Sequence, residues 1–168
     1  MIGTRRKFLA GLACTLPMAA IAQDESEPGA VTGLPVPRFV SLKSSNANVR
    51  RGPSLNHRVD WVFLHRGTPL QVTAEFDNWR RVRDVDGAGG WMHYTLLSGV
   101  RTALVVADNA PLYADPRENS AIRAMTENGV IGRLGRCTAD WCEITADGYS
   151  GWMPKSNLWG VGHDEIRN

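Results

Sequence analysis

The sequence predicts an all-β protein made of two tandem small β-barrels, and three observations carry that prediction. A set of spaced motifs occurs twice in the same order along the chain. The segments between turn signals are short and rich in β-branched and aromatic residues, and none holds a 3.6-residue period. The 168 residues, less an export-like leader, leave room for one ordinary domain or two very small ones, which excludes a large enzyme.

Residues Met1 to Ala22 begin with Arg5, Arg6 and Lys7, continue apolar from Phe8 to about Leu16, and end in Ala20-Ile21-Ala22 before Gln23. This pattern predicts a signal peptide cleaved near Ala22 and a periplasmic or secreted product. The apolar stretch is too short to cross a bilayer and no later run replaces it, so no stable membrane insertion is expected after processing. Thr4-Arg5-Arg6-Lys7-Phe8-Leu9 fits a twin-arginine export motif, with Arg5 and Arg6 as its core; a general secretory leader holding two arginines is the competing reading. Gly11-Leu12-Ala13-Cys14 is a weaker match to a lipoprotein cleavage box, because few apolar residues precede the cysteine. Cleavage would leave 16 basic against 17 acidic residues, so the whole-chain charge of +2 overstates the basicity and nucleic acid is not an expected partner.

Removal of Cys14 leaves Cys137 and Cys142 as an even pair in an oxidising compartment. Four residues separate them, which is not a thioredoxin-like spacing, and no second pair completes a zinc site. A structural disulfide clamping a hairpin is predicted, worth about 2 kcal/mol for so short a loop.

The repeat sets the domain count. Ser45 to Pro53 lies over Asp108 to Pro116 at an offset of 63, and Trp79 to Val82 over Trp141 to Ile144 at 62. Gly90-Trp91-Met92 falls on Gly151-Trp152-Met153, and Leu97-Ser98-Gly99 on Leu158-Trp159-Gly160, at an offset of 61. Single-residue loop deletions would shift the offset in this way.

The elements follow in order. Residues 23–37, with Pro28, Gly29, Pro35 and Pro37, read as a flexible lead-in. The first barrel spans 38–99, with strands expected at Val59 to Leu64, Leu70 to Phe76, Trp79 to Arg83 and Gly90 to His93. Asp77-Asn78 and Asp86-Gly87 mark its hairpin turns. The apolar segment Val100 to Ala107 is expected to open the second barrel, 101–160, in which Ala139-Asp140 and Asp147-Gly148 repeat the turns. Residues 161–168 read as a polar tail. Closure into barrels is expected because it removes the free edges of so small a sheet.

Asn48-Val49-Arg50-Arg51-Gly52-Pro53-Ser54, Gly67-Thr68-Pro69-Leu70, Trp79 to Val82 and Gly90-Trp91-Met92 with Leu97 resemble, in order, the pattern of bacterial SH3-like (SH3b) domains. The second repeat resembles a more divergent copy, opening on Pro111 to Pro116 and closing on Gly151 to Leu158. The resemblance implies small SH3-like barrels that serve as binding modules with many ligands.

Strand parity narrows the candidate site. Val82 and Ile144 should face the core, which sends Trp79 and Trp141 to the opposite face, at least partly exposed. The resemblance assigns these two to the ligand-contacting tryptophan of SH3 domains, with Trp91 and Trp152 beside them. His93, Pro154 and Tyr113 complete the groove candidates, suited to an extended peptide or a sugar face. The competing reading is that the tryptophans only seal the ends of the barrels.

In the alignment Cys137 and Cys142 fall on Glu75 and Arg80, an exposed ion pair by expectation. Repeat one carries nine Lys/Arg against five acids, and Arg50, Arg51, Arg58 and Arg66 could bind an anionic partner, or be an ordinary solvated surface. His57, Asp60 and His65 lack the company of a nucleophile, HExxH or phosphate-loop motif. No catalytic residue, metal or cofactor is therefore expected. The expected partner is peptidoglycan or an envelope protein peptide; a structural or assembly role with a dedicated partner is the alternative.

Overall fold

The computed structural model describes residues 26–168. The leader, with Arg5, Arg6, Cys14 and the cleavage site near Ala22, lies outside the described residues. A two-stranded hairpin, β1 (Glu27–Pro28) and β2 (Pro35–Val36), comes first. Repeat one contains β3 (Arg38–Leu42), β4 (Ala47–Arg50), β5 (Val59–Phe63), β6 (Pro69–Phe76), β7 (Trp79–Arg83), β8 (Gly89–His93) and β9 (Leu97–Ser98). Repeat two contains β10 (Thr102–Val105), β11 (Ala110–Tyr113), β12 (Ile122–Thr126), β13 (Ile131–Cys137), β14 (Trp141–Ala146), β15 (Tyr149–Pro154) and β16 (Leu158–Trp159).

Each repeat is one antiparallel sheet of seven strands. The order β5-β4-β8-β7-β6-β3-β9 in the first is matched strand for strand by β12-β11-β15-β14-β13-β10-β16 in the second. The ladders are open, in place of the closed barrels expected: β5 and β9, like β12 and β16, remain sheet edges. β9 and β16, two residues each after a single 3₁₀ turn, pair only with β3 and β10, respectively, and with no second strand.

The alternation read from the sequence places the core. Leu42, Val49, Leu70, Val72, Val82 and Met92 are buried in repeat one. Val105, Leu112, Leu134, Ile144 and Met153 occupy matching places in repeat two. Asp147 and Gly148 both have positive φ, 49° and 84°, as a two-residue hairpin turn requires.

The tip of the β6–β7 hairpin carries the strongest electrostatic feature. Glu75 and Arg80 are cross-strand partners, as Cys137 and Cys142 are in repeat two, where a disulfide joins them. The charged pair is buried and not exposed as expected: the Glu75 side chain is 0% accessible, with Arg80 Nε 3.4 Å and Arg38 Nη2 2.6 Å from its Oε1. Val31 and Thr32 donate backbone N–H groups to Glu75 Oε2, and the Thr32 hydroxyl donates to Oε1 at 2.7 Å. Burial alone would raise the Glu75 pKa, but the bonds from Thr32, Arg38 and Val31 outweigh it and hold it at about 2. The segment expected to be a flexible lead-in therefore folds as a hairpin against repeat one, because its turn is the donor set that this carboxylate needs.

The carboxyl-terminal segment, expected to be a polar tail, is a strap. Cys137 and Arg167 exchange backbone hydrogen bonds at 2.9 and 3.0 Å. Arg101 grips Glu165 through both carboxylate oxygens at 2.8 and 2.9 Å. Burial works against the charge of Glu165, yet the Arg101 bonds and the Gly162 N–H hold its pKa below the ordinary value.

The repeats meet without a linker. Thr102 Oγ1 donates to the Gly67 carbonyl at 2.5 Å, so the Ser41 hydroxyl donates to Thr102 Oγ1 at 2.6 Å. Phe39 and Trp159 pack edge to face with centroids 5.2 Å apart, while Arg83 lies over Trp159 and Arg101 over Phe39. Gly160 turns the chain into this contact at φ 105°, and a Cβ there would meet Pro69 and the Thr102 carbonyl at 2.8 Å.

Two outcomes are expected. The depressed Glu75 pKa means that its contribution is complete above the unfolded value near 4.5 and disappears as pH falls toward about 2. The amides of Val31 and Thr32 should lose exchange protection over that window ahead of the core, and Glu75→Ala should cost about 3 kcal/mol at neutral pH. Replacing both Cys137 and Cys142 by Ser should cost about 2 kcal/mol. Amide exchange should place that loss mainly in repeat two; equal loss across both repeats would indicate that they unfold as one unit.

Candidate functional site

β7 and β14 alternate as expected. Val82 and Ile144 are buried in the two cores, and Trp79 and Trp141 project from the opposite face. That face has a different fate in each repeat. Trp79 is only 8% accessible, which corrects the expectation that both tryptophans are exposed. Its cross-strand partner is His93, whose ring meets it edge to face at 5.6 Å. Tyr94 leans on His93 at 5.0 Å, the Arg80 guanidinium lies 6.0 Å from the Tyr94 centroid, and Thr95 Oγ1 bonds His93 Nδ1 at 2.8 Å. This chain of rings and cation covers Trp79.

In repeat two Pro154 replaces His93 opposite Trp141, and Lys155 replaces Tyr94. Proline is too compact to cover an indole. Lys155 turns away, its ammonium donating to the carbonyls of His163 and Glu165 at 2.8 and 2.9 Å. Trp141 thus remains partly accessible, backed by Tyr113 edge to face at 5.5 Å. A cavity of about 460 Å³ opens over it, lined by Trp141, Pro154, Asp140, Lys155, Glu118 and His163 among others. The β13–β14 turn that presents Asp140 and Trp141 is the one the disulfide closes, and Thr138 bonds across it to Trp141.

The other candidates lie elsewhere. Trp152 sits beside this groove, under the Arg136 guanidinium at 5.3 Å, and Arg136 in turn bonds Glu143 at 3.1 Å. Trp91 is half-buried between Arg50 and Arg81 across the sheet, away from the cavity over Trp141. Arg50 donates to the Leu55 and His57 carbonyls, and Arg51 and Arg58 converge on Asp60, whose pKa these two hydrogen bonds lower. The four arginines therefore do not assemble into one open anion site; Arg51 and Arg58 are paired with Asp60, and Arg50 and Arg66 make no ion pair among the described residues. Among the described residues no three potential metal ligands converge, and no helix is long and apolar enough to cross a membrane.

Sequence reasoning missed Glu118, Val161 and His163, which wall the groove. Val161 and His163 reach it on the strap, which is held by the Cys137–Arg167 backbone pair, the Arg101–Glu165 ion pair and the Lys155 ammonium, contacts that no side-chain pattern announces.

A model of the bacterial SH3 domain family matches residues 43–99 and, a second time, 106–160. The chain belongs to the bacterial SH3 domain family. Its two copies coincide with the two sheets, and the open groove lies in the second. The chain is also similar to NlpC2 from Trichomonas vaginalis, at 16% identity and a TM-score of 0.33 over 73% of this chain and 48% of that one. An NlpC/P60 family protein from Bacillus cereus is similar at 13% identity and a TM-score of 0.33, over 72% of this chain and 55% of that one. The chain spans about half the length of these solved structures. No curated protein matches it.

The covered groove yields a test of its own. His93→Ala should uncover Trp79, adding iodide quenching and a red shift to the emission, at a stability cost of about 1 kcal/mol. Unchanged quenching would mean that other groups keep Trp79 covered.

Proposed function

We propose that the protein is an exported, non-enzymatic binding module of the cell envelope that holds an extended cell-wall peptide in the groove of its second SH3 repeat. The observation that carries this reading is the asymmetry of the two grooves: the first is sealed by its own aromatics, and the second keeps a tryptophan floor open. Trp141 and Pro154 offer flat apolar surface to a peptide backbone or side chain, while Asp140 and Glu118 set negative charge on the rim. A peptide with free amino groups suits that rim. The Arg5-Arg6 leader and the disulfide agree with an oxidising compartment outside the cytoplasm. The absence from the sequence of nucleophile, metal and phosphate-loop motifs supports a role in binding.

Sedimentation with purified peptidoglycan sacculi tests the reading. Wild type should pellet with the sacculi, and Trp141→Ala should weaken binding about tenfold while leaving the fold and the disulfide intact. Glu118→Ala should have a smaller effect that fades as salt is raised. Wild type remaining in the supernatant at every salt concentration would eliminate wall binding and favour a dedicated protein partner.

A further inference from the structure

The outer edge of β5 and the cleft beside it belong neither to the groove of repeat two nor to a core. β5 pairs with β4 on one side, and its other edge has no backbone partner among the described residues. Native proteins blunt such edges with lysine, proline, bulges or covering loops, because unpaired N–H and C=O groups template pairing with another chain. β5 contains neither lysine nor proline, and its one register shift falls at the start, leaving Trp61 to Phe63 regular. Val59, Trp61 and Val62 are exposed along it, with Trp61 48% and Leu64, just beyond, 60% accessible.

A cleft of about 330 Å³ separates this edge from repeat two. Five consecutive residues, Trp61 to His65, line it. Trp61, Val62 and Phe63 are the strand residues among them, and because successive side chains of a strand point to opposite faces, a cavity touched by all three reaches the backbone edge. Leu104, Ile131 and Trp159 form the far wall. The lining is mainly apolar, and the flanks of the strand are basic. Arg51 and Arg58 share the single carboxylate of Asp60, and Arg66 has no ion pair among the described residues.

We propose that this edge and cleft form a docking site for an extended segment of a partner protein. The segment adds as a strand to β5, drops one large apolar side chain into the cleft, and carries acidic residues on its flanks. Main-chain hydrogen bonds supply affinity, the cleft selects the side chain, and the charges steer the encounter. Charge also argues against a second copy of this chain as the occupant: antiparallel pairing of two β5 edges sets one basic flank against another. The site is distinct from the groove of repeat two and stands whether or not that groove binds cell wall.

The experiment pans a random twelve-residue peptide display library over the protein carrying Trp141→Ala, which disables the groove, and titrates the recovered peptides in solution. They should share one large apolar residue flanked by Asp or Glu, and should add exchange protection to the amides of β5. Trp61→Ala should weaken them at least about tenfold, and Arg66→Glu about threefold, with the Arg66 effect lost at high salt. Unchanged exchange in the two cores would show that both variants fold. Failure to enrich any sequence, or binding that survives both substitutions, would overturn the proposal. A peptide-free dimer in sedimentation equilibrium with β5 already protected would also overturn it, assigning the edge to a second copy.

Discussion

A sheet of about sixty residues leaves so much of its surface in water that its core alone is marginal, and the pair at the tip of the β6–β7 and β13–β14 hairpins answers that constraint in both repeats. In repeat one the pair is Glu75 and Arg80, and the carboxylate draws in Arg38 and the turn at Val31 and Thr32. In repeat two it is a disulfide, and the backbone of Cys137 receives the strap. A buried carboxylate is stable only while its donors stay in place, so the amino-terminal hairpin and repeat one depend on each other. The covalent pair needs no such donors. The strap is held by Arg101, whose guanidinium also stacks on Phe39 of repeat one and so links the strap to the domain contact.

Divergence at one cross-strand position changed the surface without changing the fold. His93 and Pro154 occupy the same place on β8 and β15, opposite equivalent tryptophans. Histidine has a planar ring that covers the indole and recruits Tyr94; proline does neither. Repeat one retains a groove sequence whose aromatic surface is spent within the protein, while repeat two leaves it facing solvent and adds walls from the strap. The repeats also differ in charge, and the edge strand of the basic one exposes a tryptophan, Trp61.

Much of the fold was legible in the sequence because it rests on side-chain alternation and turn chemistry. The order of the repeats, the inward Val82 and Ile144, the Asp-Gly hairpins and the register of Cys137 on Glu75 all follow from spacing. The exposure of Trp79 did not, since parity fixes the face of a side chain and not what a neighbouring strand lays over it. The hairpin at Glu27–Val36 and the strap were hidden for a related reason. Both are short segments held by bonds to distant groups, Glu75 and the Cys137 backbone, and have no periodicity of their own. The ladders are open where closed barrels were expected, and composition does not reveal which strands remain edges. In the groove, Trp141, Pro154 and Tyr113 were legible as aromatic and proline positions, whereas Glu118 came from a loop with no pattern to mark it.

The join between the repeats has a mechanical consequence. β9 ends at Ser98 and β10 begins at Thr102, Thr102 bonds the second sheet directly to the first, and Gly160 packs so close to Pro69 that a Cβ would not fit. With so little chain between them and hydrogen bonds across the seam, the two copies cannot sample a range of separations as beads on a tether do. They act as a caliper set to one width. A ligand in the groove of repeat two and a segment on the β5 edge of repeat one would be held at a single spacing, and the gain from joining the two in one molecule would be large for a linker of matching length and absent for one too short to span them.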